Sequence, residues 1–241
     1  MTDKPIPLFD AWFGLSILPH WHLHAWLMFA IWIVLVPAVV ALTRFGKPPP
    51  SAVGIPKGSP KFGRKLYWFT LHRVCLFVLT VISVVAGLMA VTASNGFSGT
   101  LHAVFGIGTL VLSALQVVGA RWRGTHGGRD PEQGTPNRPV FTRGDHYDMT
   151  LRRRWFEACH KTVGYFALVC AIGAVATGLS QYWIFGIAIA LGFVVACWLV
   201  IAIVLEAKGF RHDTYLSNFG TGAHHPFNKA RIDTISGDGA T

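Results

Sequence analysis

Residues 66–121 read LYWFTLHRVCLFVLTVISVVAGLMAVTASNGFSGTLHAVFGIGTLVLSALQVVGAR, and this stretch decides the fold. From Val74 to Ala120 it holds no Asp, Glu, Lys or Arg. Its one break is SNGFSGT, a tight connection by its Gly, Ser and Asn content. A helix of about 20 apolar residues crosses a bilayer. The stretch therefore predicts two spanning helices, the second of the chain from about Leu66 to Thr92 and the third from about Leu101 to Arg121.

The same reading extends outward. Ala11–Thr43 and Thr162–Leu205 also lack charged residues, and the whole chain is 52% apolar and only 13% charged, against roughly a quarter charged in soluble domains. The first run divides near Pro19, leaving a short aromatic segment around Trp12 and Phe13 and a helix from about Leu23 to Thr43, where Pro37 is a candidate kink. The fourth helix is expected over about Phe156 to Leu179 and, after QYW, the fifth over about Ile184 to Glu206. The fold class is an all-α integral membrane protein with five transmembrane helices. Its parts are an outer N-terminal segment (1–22), a transmembrane domain (23–206) with loops at 44–65 and 121–154, and a polar tail (207–241).

The net charge of +10 does not indicate nucleic acid, because the basic residues lie between the apolar runs. Arg44, Lys47, Lys57, Lys61, Arg64 and Lys65 crowd the first loop without an acid. Arg121, Arg123, Arg129, Arg138, Arg143, Arg152, Arg153 and Arg154 follow the third helix. Basic loops stay cytoplasmic, so the N-terminus is expected outside and the C-terminus in the cytoplasm. MTDKPIPLFD lacks the basic start and cleavage site of a signal peptide, which leaves the first helix as its own insertion signal. Cys75, Cys159, Cys170 and Cys197 have no short pair spacing, so neither a disulfide framework nor a thiolate zinc site is read. No Cys-x-x-Cys-His occurs, which removes covalently attached haem.

Four of the eleven histidines carry the chemistry. His24, His72, His102 and His160 each sit in the first turns of a different spanning helix. Because successive helices alternate in direction, His24 and His102 share the outer depth, and His72 and His160 the inner. A single histidine at a helix end is more often interfacial than a ligand. Two pairs at matched depth are harder to explain that way, since ionisable residues inside membrane segments are rare and usually functional. Two imidazoles facing each other across a bundle suit the axial positions of a non-covalent haem b. Zinc is the rival, but each pair falls short of the usual three or four ligands, with only Glu157 and Cys159 near His160. Gly106 and Gly164, four residues after His102 and His160, would give a porphyrin room beside the backbone, or serve ordinary helix packing.

These residues resemble the cytochrome b561 family, most closely the five-helix core fused in some members to DOMON domains and grouped as a ferric-reductase-like transmembrane domain. No DOMON segment is read here. The resemblance is carried from about His24 to Leu179 by HAWLM at His24–Met28 with Pro37 and Arg44, WFTLHR around His72, LHAVFGIGTLVLSALQVVGARWR with His102, Gly106, Gln116, Gly119 and Arg121, and RRWFEACHKTVGY with Trp155, Glu157, His160 and Gly164, ending at Gly178 and Leu179. It implies a bundle in which helices one to four hold two b haems, His24 pairing with His102 and His72 with His160 as axial ligands of the iron. It also implies electron transfer across the membrane. His20 and His22 compete for the first position, but HAWLM aligns His24. FGRKLYWFTL does not reproduce the lysine-containing ascorbate site of six-helix relatives, so ascorbate is not assigned as donor.

Iron with two histidine ligands has no open position, which favours electron relay over oxygen chemistry, and no catalytic residue is named. The expected partners are the lipid bilayer and a quinol or soluble redox protein, in a bacterial inner membrane. The alternative is a haem-bearing anchor and relay subunit of a larger complex, docking through the loop after the third helix and the tail with its His212, His224 and His225; a solvated tail is the simpler reading. Arg73, Lys161 and Arg152–Arg154 would neutralise haem propionates or simply mark the cytoplasmic side. Trp21, Trp26, Trp68, Trp155 and Trp183 read as interfacial anchors. A histidine-based transporter would show inverted repeats or broken helices, and none is found.

Overall fold

The computed structural model describes residues 21–56, 58–94, 96–123, 129–135, 138–141 and 151–222. Five helices are long and apolar enough to cross a membrane: α1 Trp21–Phe45, α2 Tyr67–Ala93, α3 Leu101–Trp122, α4 Leu151–Gln181 and α5 Phe185–Ala207. The chain is an integral membrane protein on that evidence. Its exposed residues include most of the large apolar side chains of α2 to α5, such as Phe77, Leu88, Val111, Phe166 and Phe193. Such an inside-out surface suits lipid and not water.

The predicted spans hold to within a turn or so. α4 starts five residues earlier than expected, because Leu151–Trp155, with its three arginines, continues the helix ahead of the apolar run. Two elements were not read from the sequence. The loop after α3 contains an antiparallel hairpin, β1 Arg129–Thr135 with β2 Arg138–Phe141. The tail contains a short helix, α6 Thr214–Phe219. The early aromatic segment, His20, His126, His224 and His225 lie outside the described residues.

Inside α1 the segment Ala30–Leu35 is π-helical, and Pro37 explains it. A proline has no N–H to give the carbonyl four residues back and its ring crowds that carbonyl. The chain widens its winding just ahead, with the Val36 N–H bonding Ile31 O. The carbonyl of Ile33, the one Pro37 cannot serve, accepts instead from Trp198 Nε1 of α5 at 3.1 Å. This is how membranes tolerate proline: a neighbouring helix satisfies the group set free.

The described residues form two compact units. The first takes α1 as far as Val39, Val74–Val118 and Lys161–Ile201. Its core includes Phe29, Ile33 and Ile187, with Ala25, Val175, Leu179 and Leu191 packed around them. α3 lies close on α4 there: a Cβ added at Gly173 would stand 3.0 Å from the Phe105 ring, so small residues on α4 admit the bulk of α3.

The second unit takes Val40–Arg73 and the described parts of Gly119–His160 and Ala202–Thr241. Here the first loop holds the chain beyond α5. Ile55 N donates to Asn218 O at 2.8 Å and Thr221 N to Ser51 O at 3.0 Å, and Phe219 is 1% exposed. Gly54 and Gly220 permit this approach: both have positive φ, 64° and 86°, and a Cβ at Gly54 would meet Asn218 O at 2.4 Å. The Thr70 hydroxyl bonds Lys61 O. Trp68, read as an interfacial anchor, is instead buried at 5% exposure, its Nε1 donating to Lys65 O at 3.0 Å. Trp21, Trp155 and Trp183 are exposed as anchors would be.

Candidate functional site: two facing histidine pairs

The four singled-out histidines come together two by two, each pair within one unit. In the first unit the rings of His24 on α1 and His102 on α3 have centres 6.4 Å apart and planes at 81°. In the second the rings of His72 on α2 and His160 on α4 are 6.3 Å apart at 71°. Each of the four histidines therefore lies beside the one expected at its own depth. His22 is exposed and takes no part. Half of either separation, less the roughly 1.1 Å from the centre of an imidazole to its nitrogen, leaves about 2 Å, the length of a metal–imidazole bond. The spacing suits one metal ion between two rings. Such a spacing also falls within the range of edge-to-face aromatic pairs, so the hydrogen bonds of the rings carry the weight.

His102 Nδ1 lies 2.9 Å from the carbonyl oxygen of Ala174 on α4. A carbonyl only accepts, so Nδ1 is the donor here and Nε2 is the nitrogen left for another partner. An imidazole fixed in this way by its second nitrogen is the usual state of a metal-bound histidine. Gly178, one turn beyond Ala174, makes the contact possible: a Cβ there would stand 2.9 Å from His102 Nδ1. His72 Nδ1 is buried with no hydrogen-bond partner among the described residues. A buried polar atom left in that state calls for an unseen ligand or water. No cluster of three or more His, Cys, Asp and Glu that could hold a metal ion occurs among the described residues, so each site offers two imidazoles.

Room beside the ligands differs between the two glycines read from the sequence. No atom lies within 4 Å of a Cβ placed at Gly106, whereas one at Gly164 would meet the Gln116 amide at 3.3 Å. Gly106 borders open space on the His102 face of α3, and Gly164 is a packing contact.

The second pair stands on an arginine-rich floor. Phe156 stacks on His160 with ring centres 5.1 Å apart at 22°, and the Arg153 guanidinium lies 5.1 Å from the Phe156 ring. Arg123 lies 4.2 Å and Arg73 5.7 Å from the Phe69 ring, three residues before His72. Arg153 is 5% exposed. It bonds Glu157 Oε1 through Nη2 at 2.7 Å and Nε at 3.0 Å, and the Arg123 carbonyl through Nη1 at 3.2 Å. Burial, with Arg153 and Arg73 beside it, lowers the Arg123 guanidinium to about 10, Glu157 opposing. Arg123, which sequence reading placed only among the charges of a loop, is thus part of the site. No spacing rule marks it; its role comes from α3 ending beside α4.

From the chain beyond α5, Tyr215 donates its hydroxyl to Glu157 Oε1 at 2.9 Å. Burial, and then the Glu157 carboxylate, push this phenol above the ordinary tyrosine range, Arg153 opposing. No family model, curated protein or solved structure matches the chain.

Proposed function

We propose that the chain is a di-haem b electron-transfer protein of the cytochrome b561 type, moving electrons across the membrane between a quinol or other reductant and a redox partner. The observation that carries this reading is the state of the ring nitrogens in the two pairs, 6.4 Å and 6.3 Å apart: His102 Nδ1 is tied to Ala174 O, and His72 Nδ1 is buried without a hydrogen-bond partner among the described residues. His24 and His102 would hold one haem, and His72 and His160 the other. Haem b held by two imidazoles supplies one-electron oxidation and reduction with no open iron position.

The chain's own residues supply the rest. Ala174 O fixes the tautomer of His102, Gly106 leaves space beside it, and apolar helices exclude water. Arg123 and Arg153 give the His72–His160 site a positive surround suited to carboxylates. In this reading the site faces the cytoplasm of a bacterial inner membrane with the N-terminus outside, an orientation that the basic loops favour. The alternative, an anchor and relay subunit of a larger complex, was motivated partly by the tail. It loses part of that motive because Thr214, Asn218 and Thr221 of the tail are bonded by the chain's own first loop.

The test is haem content per polypeptide by pyridine haemochrome, with oxidised and reduced spectra of the detergent-purified protein. Two haems with low-spin bands are expected. His102→Ala should remove the outer haem and spare the inner, and His160→Ala the reverse. Wild-type protein without haem after expression with ample haem supply would end the proposal, as would equal loss from His126→Ala.

A further inference from the structure

The histidine pairs leave one ordered part of the second unit without a role, the segment Asp213–Gly222. A helix of six residues has no stability of its own, yet this one is held at several points. Asp213 caps it, accepting from the N–H groups of Tyr215 and Leu216 at 2.8 and 2.9 Å. Lys47 Nζ donates to the Thr214 hydroxyl at 2.8 Å, and the first loop grips Asn218 and Thr221 from the other side.

The held segment aims one polar group at the site. Tyr215 and Arg153 both donate to the same oxygen of Glu157. Glu157 lies three residues before His160 and so on the same side of α4. Contacts then run from Arg153 to the Phe156 ring, from Phe156 to His160, and across 6.3 Å to His72. A carboxylate this near a redox centre in a weakly screening medium biases the charge the centre prefers. A hydrogen bond donated to it draws that charge away.

We infer that Tyr215 is a positioning residue for the His72–His160 site: it holds Glu157 against Arg153, and thereby ties the redox balance of this site to the docking of the C-terminal segment. The inference rests on the haem reading above. Its sign follows from charge: without the phenol, the less compensated carboxylate favours the ferric state.

The experiment uses the full-length protein and Tyr215→Phe, which keeps the ring stacked on Phe219, 6.1 Å away, and removes only the hydroxyl. In a spectroelectrochemical titration the inner haem should become harder to reduce by about tenfold in its equilibrium constant, about 59 mV for one electron, while the outer haem is unmoved. Glu157→Gln removes the charge and should move the inner haem the other way; mere loosening would move both variants alike. A haem-independent arm follows tryptic cleavage at Lys208 and Arg211, which should quicken several-fold in Tyr215→Phe. An unmoved inner haem, equal shifts in both haems, or the same direction in both variants overturns the inference, and unchanged cleavage overturns the docking claim. A wild type without haem overturns the haem reading and the redox claim with it, and the cleavage arm then still decides docking.

Discussion

Two of the decisive residues differ in how visible they are. His102 announces itself as an ionisable group in an apolar run, whereas Gly178 is marked only as the end of the family-like stretch, with nothing to tie it to His102. The structure makes Gly178 the floor on which His102 Nδ1 rests, 2.9 Å from where a Cβ would be. Gly→Ala in an exposed helix interior gains roughly 1 kcal/mol. Here the added methyl would crowd Nδ1 and force the ring to shift against its bond to Ala174 O, a bond worth about 1 kcal/mol. Gly178→Ala should broaden or lower the outer-haem signal and spare the inner one. Reduced-minus-oxidised spectra read the result, and an unchanged outer haem would show that the ring does not need this carbonyl. The pairing of the histidines was legible because helix direction alternates by rule. The tautomer was not, because Ala174 offers a backbone atom and no sequence signal.

At the scale of elements, α1 shows how far a proline can be read. Its presence predicts disturbance near residue 37; the form taken, a π-helical stretch with its spare carbonyl bonded by Trp198, depends on a residue 161 positions further on in the chain. Trp198→Phe should leave Ile33 O unserved in a lipid-facing protein, where interhelical hydrogen bonds contribute about 0.6 kcal/mol on average and up to roughly 2. Thermal unfolding in detergent should begin earlier by a few degrees, and Pro37→Ala, which restores an N–H to the helix, should relieve the loss in the double variant. Additive losses would separate the two residues. The spans themselves were legible because uncharged runs of this length have one stable environment. The hairpin and α6 were not, because polar segments acquire order only from what they touch, and Tyr215 and Phe219 find their partners in the first loop and on α4.

For the whole molecule, topology is the firmest consequence of charge. Six basic residues and no acid mark the first loop, so a reporter active only in the cytoplasm should work when fused after residue 222 and fail when placed at Asn95. The reverse result would exchange the faces assigned to the two histidine pairs. What charge counting could not supply is that the loop is also a receptacle: Ser51, Gly54 and Ile55 lie against Asn218–Thr221.

That contact sets an order of assembly. Ser51–Ile55 emerges from the ribosome once one span has been made, and its partner emerges only after all five. During the interval the loop must wait with Ile55 and Gly54 ungripped, so the second unit closes last, once α5 has been made. A chain stalled within α5 would have all four paired histidines in place and the His72–His160 site still without its clasp.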